Sequence, residues 1–181
     1  PYYIGKQFDS SKIMFARTVG QIESQGIDVL VKHEAVNIDF DKKIVRTKNL
    51  ETNGEVDIEY DKLAIATGAH PLVFGEGSDS ENVFTITRLN EAEKIKEQLE
   101  DIKDIVIVGT GFIGLEMADQ LIKLGKDVKV IQRSEQIMDR AFDKEIAELA
   151  TKELEDLGVE FIKGESYEKF ETEAVSYTHL R

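Results

Sequence analysis

The sequence predicts an α/β protein in which a doubly wound, parallel-sheet arrangement follows an antiparallel β-meander, and three observations carry that reading. A β-branched run, Ile-Val-Ile-Val at 105–108, passes directly into glycines at 109, 111 and 114, the order of a strand, a tight turn and a helix start. Beyond it, Ile113, Met117, Leu121 and Leu124 recur at helical spacing before Gly125, and residues 128–131 read as a second strand. Upstream, Val36, Ile38 and Phe40, then Ile44 and Val45, then Val56, Ile58 and Tyr60 alternate between turn-forming residues, the period-2 pattern of half-buried strands.

In chain order, Pro1-Tyr-Tyr-Ile-Gly5 begins without a methionine, which reads as a chain cut from a longer one. Thr18-Val-Gly-Gln21 has the form of a capping box and opens a short helix, with Val19 and Ile22 inward and Gly26 as its stop. Residues 27–31 are expected as a strand, and the meander follows with turns at Asp41-Lys-Lys43 and Asn53-Gly54. Leu63-Ala-Ile65 is expected as a short buried strand. It ends at Ala66-Thr-Gly-Ala-His-Pro71, small residues where either a ligand lies against backbone or the chain turns a tight packing corner.

Residues 72–82 read as loop. Asn90-Glu-Ala-Glu93 is a second capping box, opening a helix with Ala92, Ile95, Leu99 and Ile102 on one face. After the central βαβ unit, Asp143 is expected to cap a helix whose Ile146, Leu149, Ala150, Leu154 and Leu157 face inward, and Gly158 ends it before a strand at 159–163. A boundary near residue 103 divides the chain, so that residues 104–173 read β-α-β-α-β. Residues 174–181, Ala-Val-Ser-Tyr-Thr-His-Leu-Arg, break that rhythm and are either a further strand or translated adapter sequence.

Composition narrows the function. Lys plus Arg number 23 against 36 Asp plus Glu, a net charge of −13, which disfavours nucleic acid and acidic membrane surfaces as partners. No apolar run approaches the roughly 20 residues of a membrane helix, and the first residues lack a signal-peptide pattern, so a cytoplasmic protein is expected. Cysteine is absent, which excludes disulfides, thiolate metal sites and cysteine catalysis within these residues. His33, His70 and His179 are scattered without ligand spacing, so no metal site is expected.

The glycine spacing G-x-G-x-x-G carries the chemistry. Gly109 permits the turn, Gly111 lets backbone approach a pyrophosphate, and Gly114 lets helix and strand pack closely. Gly109, Thr110, Gly111, Phe112, Ile113 and Gly114 therefore form a candidate phosphate-binding turn at a helix N-terminus, where free N–H groups face the ligand. The competing reading is a βα unit whose glycines serve packing alone. Cofactor choice falls to the end of the second strand. NAD-selective sites place an acidic residue about 20 positions beyond the glycines to bond the ribose 2′-hydroxyl. Gln132, Arg133 and Ser134 stand there instead, so NADP(H) is expected over NAD(H), with Arg133 meeting the 2′-phosphate. Alternatively Gln132 bonds the 2′-hydroxyl, Arg133 faces solvent and Glu135 repels the phosphate, which gives dual use.

Three motifs in order, Pro1-Tyr-Tyr-Ile-Gly5, Ala66-Thr-Gly-Ala-His-Pro71 and Gly109-Thr-Gly-Phe-Ile-Gly-Leu-Glu116, resemble the pyridine nucleotide–disulfide oxidoreductases, in the branch of coenzyme A disulfide reductases and NADH oxidases. The resemblance covers residues 1 to about 173. It implies FAD/NAD(P)-binding Rossmann-like domains, with residues 1–103 part of an FAD domain and 104–173 part of an inserted NAD(P) domain. It implies that Ala35 and Val36 lie by the adenine of FAD and that Thr67, Gly68 and Ala69 pass close to the flavin nucleotide. Phe112 would cover the flavin until nicotinamide displaces it, and Glu116 would lie near the nicotinamide side of the ring. A packed aromatic and a solvated helix carboxylate are the other readings of that pair.

The implied activity of the intact parent, a homodimer, is hydride transfer from NAD(P)H to FAD and onward, through a redox cysteine not in this chain, to a small-molecule disulfide such as coenzyme A disulfide. Dioxygen or peroxide is the alternative acceptor, and a non-catalytic nucleotide-binding module is the alternative outside enzymes. The family's first FAD glycine motif, later Gly-Asp motif and dimerisation domain are also missing here, so these residues alone are expected to lack disulfide reductase activity and to hold FAD weakly.

Overall fold

Turn chemistry builds the first sheet. In the computed structural model, which describes residues 1–171, β1 (His33–Asp39), β2 (Ile44–Asn49) and β3 (Glu55–Glu59) form an antiparallel meander in that order. Lys43 and Asn53 take positive φ in the two connections, and side chains brace them: Asp39 Oδ1 accepts the Lys42 N–H at 2.9 Å, and Asn49 Oδ1 accepts the N–H groups of Glu51 and Thr52. Arg46 sits directly opposite Asp57 and grips it with two hydrogen bonds of 2.8 and 3.1 Å. The β1–β2 register shifts between Ala35 and Asn37, so Val36 occupies a bulge.

This sheet belongs to one of two packing units, Lys12–Ala69; the other comprises Pro1–Ser11 and the residues from His70 onward. The capping box at Thr18 forms as expected, with reciprocal bonds of 3.3 and 2.8 Å to Gln21, and opens α1 (Val19–Glu23). Three expectations in this unit fail. Val19 is exposed and α1 buries no residue, because five residues present too little face to pack. Residues 27–31 and 63–65 are not strands. Ile27, Leu30, Val31 and Ile65 are each more than half exposed, and no described strand lies beside them to supply the ladder that an apolar run needs.

The second unit contains α2 (Leu89–Gln98), β4 (Asp104–Val108), α3 (Phe112–Lys123), β5 (Asp127–Gln132), α4 (Lys144–Asp156) and β6 (Glu160–Lys163). The strands form a parallel sheet ordered β4-β5-β6, with Ile105 opposite Val128 and Val130 opposite Phe161. Its core joins Ile4, Ala92, Ile95, Leu99, Met117, Ala118, Leu121, Val128, Val130 and Val159, and a smaller cluster unites Leu115, Ile137, Met138 and Ala147. The β-α-β-α-β reading thus holds through residue 163, while residues 174–181 lie outside the described residues.

Helix details differ from expectation in three places. The box before α2 lies two residues earlier than Asn90: the Glu91 carboxylate accepts the N–H groups of Thr87 and Arg88 at 2.7 and 3.1 Å and the Thr87 hydroxyl at 3.0 Å. These donors, Thr87 N–H first, hold the Glu91 carboxyl below its ordinary pKa. On α3, Met117 and Leu121 are buried as expected, but Ile113 is 53% exposed and Leu115, Ala118 and Gln120 are buried instead. Ile113 sits in the first turn, at the open end of the sheet, while both flanks further along α3 are packed. On α4, Ile146, Leu149 and Leu157 are exposed, and the buried positions are Ala147 and Thr151. Small residues there let the helix approach Leu115 and Ile137. Asp143 occupies the cap position, but its side chain makes no capping bond.

Candidate functional site

The site grows from the C-terminal ends of β4 and β5, where ligands of parallel α/β sheets bind. Gly109 has φ of +97°, a conformation costly for residues with a Cβ, and its N–H still donates to Ile131 O at 2.9 Å. Gly111 is the N-cap of α3 with φ of −70°, so its need for glycine is not conformational. A Cβ added at Gly109 or Gly111 would meet nothing within 4 Å, whereas one at Gly114 would lie 2.3 Å from Gly109 O and 3.6 Å from Ile107 Cγ2. The three glycines therefore serve backbone turn, open space and close packing respectively. Open space before the first-turn N–H groups of α3 fits a pyrophosphate.

Beside this turn runs a groove of about 330 Å³ lined by Val108, Gly109, Ile131, Gln132, Arg133, Ser134, Asp139, Arg140, Glu165 and Ser166. Arg133 is exposed at its rim. Thr110 is only 2% exposed: its N–H donates to Gln132 Oε1 at 3.2 Å and its hydroxyl accepts the Met138 N–H at 3.3 Å. Gln132 Nε2 donates to Ser134 Oγ at 3.1 Å, and the Ser134 hydroxyl donates to Asp139. Phe112 is 61% exposed and meets Phe142 edge to face, with centroids 6.1 Å apart and planes at 76°. Ile113 and Glu116 are exposed on α3.

The structure thus brings Gly109, Thr110, Gly111, Phe112, Ile113, Gly114, Gln132 and Arg133 to one end of one sheet. Ala35, beside the bulge, and Val36, within it, belong to the other unit, as do Thr67, Gly68 and Ala69, exposed residues outside any strand, with Gly68 at φ of +74°. Sequence reasoning missed Asp139, Arg140, Glu165, Ser166 and Phe142. The advance signal for Arg140 is a second guanidinium seven residues after Arg133. Among the described residues no helix is long and apolar enough to cross a membrane, and no group of His, Cys, Asp and Glu could hold a metal ion.

The family model described as pyridine nucleotide-disulphide oxidoreductase matches residues 4–181. An NADH oxidase of Enterococcus faecalis is 31% identical over 93% of this chain and 38% of its own length. An NAD(P)H sulfur oxidoreductase (CoA-dependent) of Pyrococcus abyssi is 37% identical over 85% of this chain and 34% of its own. The chain spans between a third and two fifths of the length of these relatives. Among solved structures, a NAD-dependent persulfide reductase from A. fulgidus superposes with a TM-score of 0.89 at 33% identity, covering 95% of this chain and 33% of that one. The water-forming NADH oxidase from Lactobacillus brevis, bound to NADH, gives 0.91 at 28% identity over 96% of this chain and 39% of that one. Its engineered NADPH oxidase variant, bound to NADPH, gives the same values and carries adjacent Ala-to-Arg and Met-to-Ser changes among its substitutions.

Proposed function

Because this chain belongs to the pyridine nucleotide-disulphide oxidoreductase family, we propose that its parallel-sheet unit binds NADPH in preference to NADH and that the parent enzyme passes a hydride from this donor to FAD and on to a disulfide such as coenzyme A disulfide. The observation that carries the proposal is the open space in front of Gly109 and Gly111, beside a strand end that reads Gln132, Arg133 and Ser134, where an acidic residue would read a 2′-hydroxyl. When bound, the nicotinamide supplies the hydride and the flavin accepts it. The protein's own task is to fix the dinucleotide: first-turn N–H groups of α3 take the pyrophosphate, and Arg133 takes the 2′-phosphate. The Arg-Ser pair at 133–134 repeats the residue types introduced in the engineered NADPH oxidase, which supports the same donor choice.

The assignment of residues 1–103 to FAD and 104–173 to NAD(P) belongs to the proposal, with Ala35, Val36, Thr67, Gly68 and Ala69 on the flavin side, Phe112 covering the flavin and Glu116 near the nicotinamide. So do a cytoplasmic location, a homodimer, and partners that are small molecules and neither nucleic acid nor membrane; the sequence reading alone carries these. The persulfide and sulfur reductases among the relatives support a sulfur acceptor. A second reading, dioxygen or peroxide as acceptor, has the Enterococcus NADH oxidase in its favour.

Calorimetric titration of this chain with NADPH and NADH tests donor choice. Arg133→Ala is expected to weaken NADPH by roughly ten- to 150-fold, from one charge-assisted bond of about 1.5–3 kcal/mol, and to leave NADH unchanged. Equal effects on both donors, or none on either, would remove Arg133 from the 2′-phosphate. Turnover of the intact enzyme with coenzyme A disulfide against dioxygen separates the acceptors.

A further inference from the structure

Gln132 ends β5 where a residue contacting the ribose is expected, yet both ends of its amide are engaged within the protein. Oε1 accepts the Thr110 N–H at 3.2 Å, and Nε2 donates to Ser134 Oγ at 3.1 Å, whose own hydroxyl donates to Asp139. A second strut runs in parallel, from the Met138 N–H to Thr110 Oγ1 at 3.3 Å. Backbone bonds extend the same structure to the loop after β6: Glu165 N–H donates to Gln132 O at 3.2 Å and Gly164 N–H to Ser134 O at 3.4 Å. The loops that follow all three parallel strands are thereby joined, and Gln132 carries the side-chain hydrogen bond from β5 to the glycine turn.

We propose that Gln132 is a positioning residue for the pyrophosphate turn and does not read the ribose 2′ position. Its carbonyl oxygen fixes the Thr110 peptide, which aims the following N–H groups of α3 at the phosphates and withdraws the Thr110 N–H from the donors a ligand could use. Discrimination between a 2′-phosphate and a 2′-hydroxyl then falls to Arg133 and Arg140, the two cations lining the same groove. This inference rests on the dinucleotide reading above and specifies which atoms perform it.

The test titrates the unmutated chain, Gln132→Met and Gln132→Glu with NADPH, NADH and ADP-ribose. Gln132→Met keeps the side-chain length and removes both polar ends, so all three ligands are expected to weaken by the same factor, roughly three- to tenfold for one neutral hydrogen bond, with the NADPH-to-NADH ratio unchanged. Gln132→Glu still offers an oxygen to the Thr110 N–H, so its ADP-ribose affinity is expected to stay within about twofold of the unmutated chain. A shift in the NADPH-to-NADH ratio in Gln132→Met, undiminished ADP-ribose binding by that variant, or lost ADP-ribose binding by Gln132→Glu would each overturn the proposal, and the Glu variant decides alone if the Met variant fails to fold. If the unmutated chain binds none of the three ligands, the dinucleotide reading itself falls and this inference falls with it.

Discussion

Substituting the first two glycines of the turn separates backbone strain from ligand space. Gly109 sits at φ of +97° with nothing within 4 Å of an added Cβ, so Gly109→Ala incurs strain alone, about 1–3 kcal/mol. In a chain of this size that lowers the melting temperature by about 2–12 °C. Relief of the strain would rotate the peptide whose neighbour bonds Gln132, so dinucleotide affinity should fall as well. Gly111 has an ordinary φ of −70° and equally open surroundings, so Gly111→Ala should fold almost unperturbed, losing about 0.5 kcal/mol for an apolar N-cap. Its methyl group, however, stands where the pyrophosphate must approach. Displacing the phosphates from one charge-assisted N–H bond costs about 1.5–3 kcal/mol, or roughly ten- to 150-fold in affinity for NADPH, NADH and ADP-ribose alike. Thermal unfolding and calorimetry on the two variants check both halves. Gly111→Ala with unweakened ligand binding, or Gly109→Ala with an unchanged melting temperature, would refute the division of labour between them.

Other perturbations have defined outcomes. Glu91→Gln should cost about 1 kcal/mol at neutral pH, because a charged acceptor of two backbone N–H groups at a helix start is weakened. Since the folded Glu91 pKa is lowered, its contribution is complete above the ordinary glutamate value of about 4.3 and is lost as pH falls below that and through the folded value; the gap in melting temperature should close in acid, and a gap independent of pH would refute the assignment. Ile4→Ala should destabilise by about 2–5 kcal/mol, since Ile4 is fully buried among Met117, Ala118 and Leu121; a loss under 1 kcal/mol by denaturant titration would place residue 4 outside the core. Phe112→Ala should cost no more than about 0.5–1.5 kcal/mol of stability, the value of one edge-to-face contact, while altering nicotinamide-dependent flavin reduction in stopped flow of the intact enzyme. Glu116→Gln should slow the same step, and unchanged kinetics in either variant would leave only packing and solvation.

What the sequence makes legible is local. Gly109, Gly111 and Gly114 declare the turn because each constraint acts within a few residues, and the Gly-stopped helices and the two turns of the meander are read for the same reason. Helix faces come out rotated where packing is two-sided: Ala147 and Thr151 displace Ile146 and Leu149 because α4 must approach Leu115 and Ile137 closely. The residues at 27–31 and 63–65 have strand composition, but a strand requires a neighbour that composition does not supply. At the site, Gln132 and Arg133 were found by counting along the strand. Asp139, Arg140, Glu165 and Ser166 were not, because only the return of three separate loops to one sheet edge brings them into the groove, and the double engagement of the Gln132 amide is likewise invisible until Thr110 and Ser134 are seen on either side of it.

The burial of Ile4 has a consequence for the order of assembly. Gln7 bonds Gln120 across 113 residues, and an added Cβ on Gly5 would lie 2.2 Å from the Gln120 side chain, so residues 4–7 close a core whose other half is encoded far downstream. The meander, by contrast, joins strands separated by a handful of residues and can pair as soon as it is made. During synthesis at about 5–20 residues per second, residues 4–7 wait roughly 6–24 seconds for α3 to be completed. For that interval Tyr3 and Ile4 lack the α3 side chains they pack with, and the long sequence separation predicts that these contacts are among the last to acquire protection in refolding.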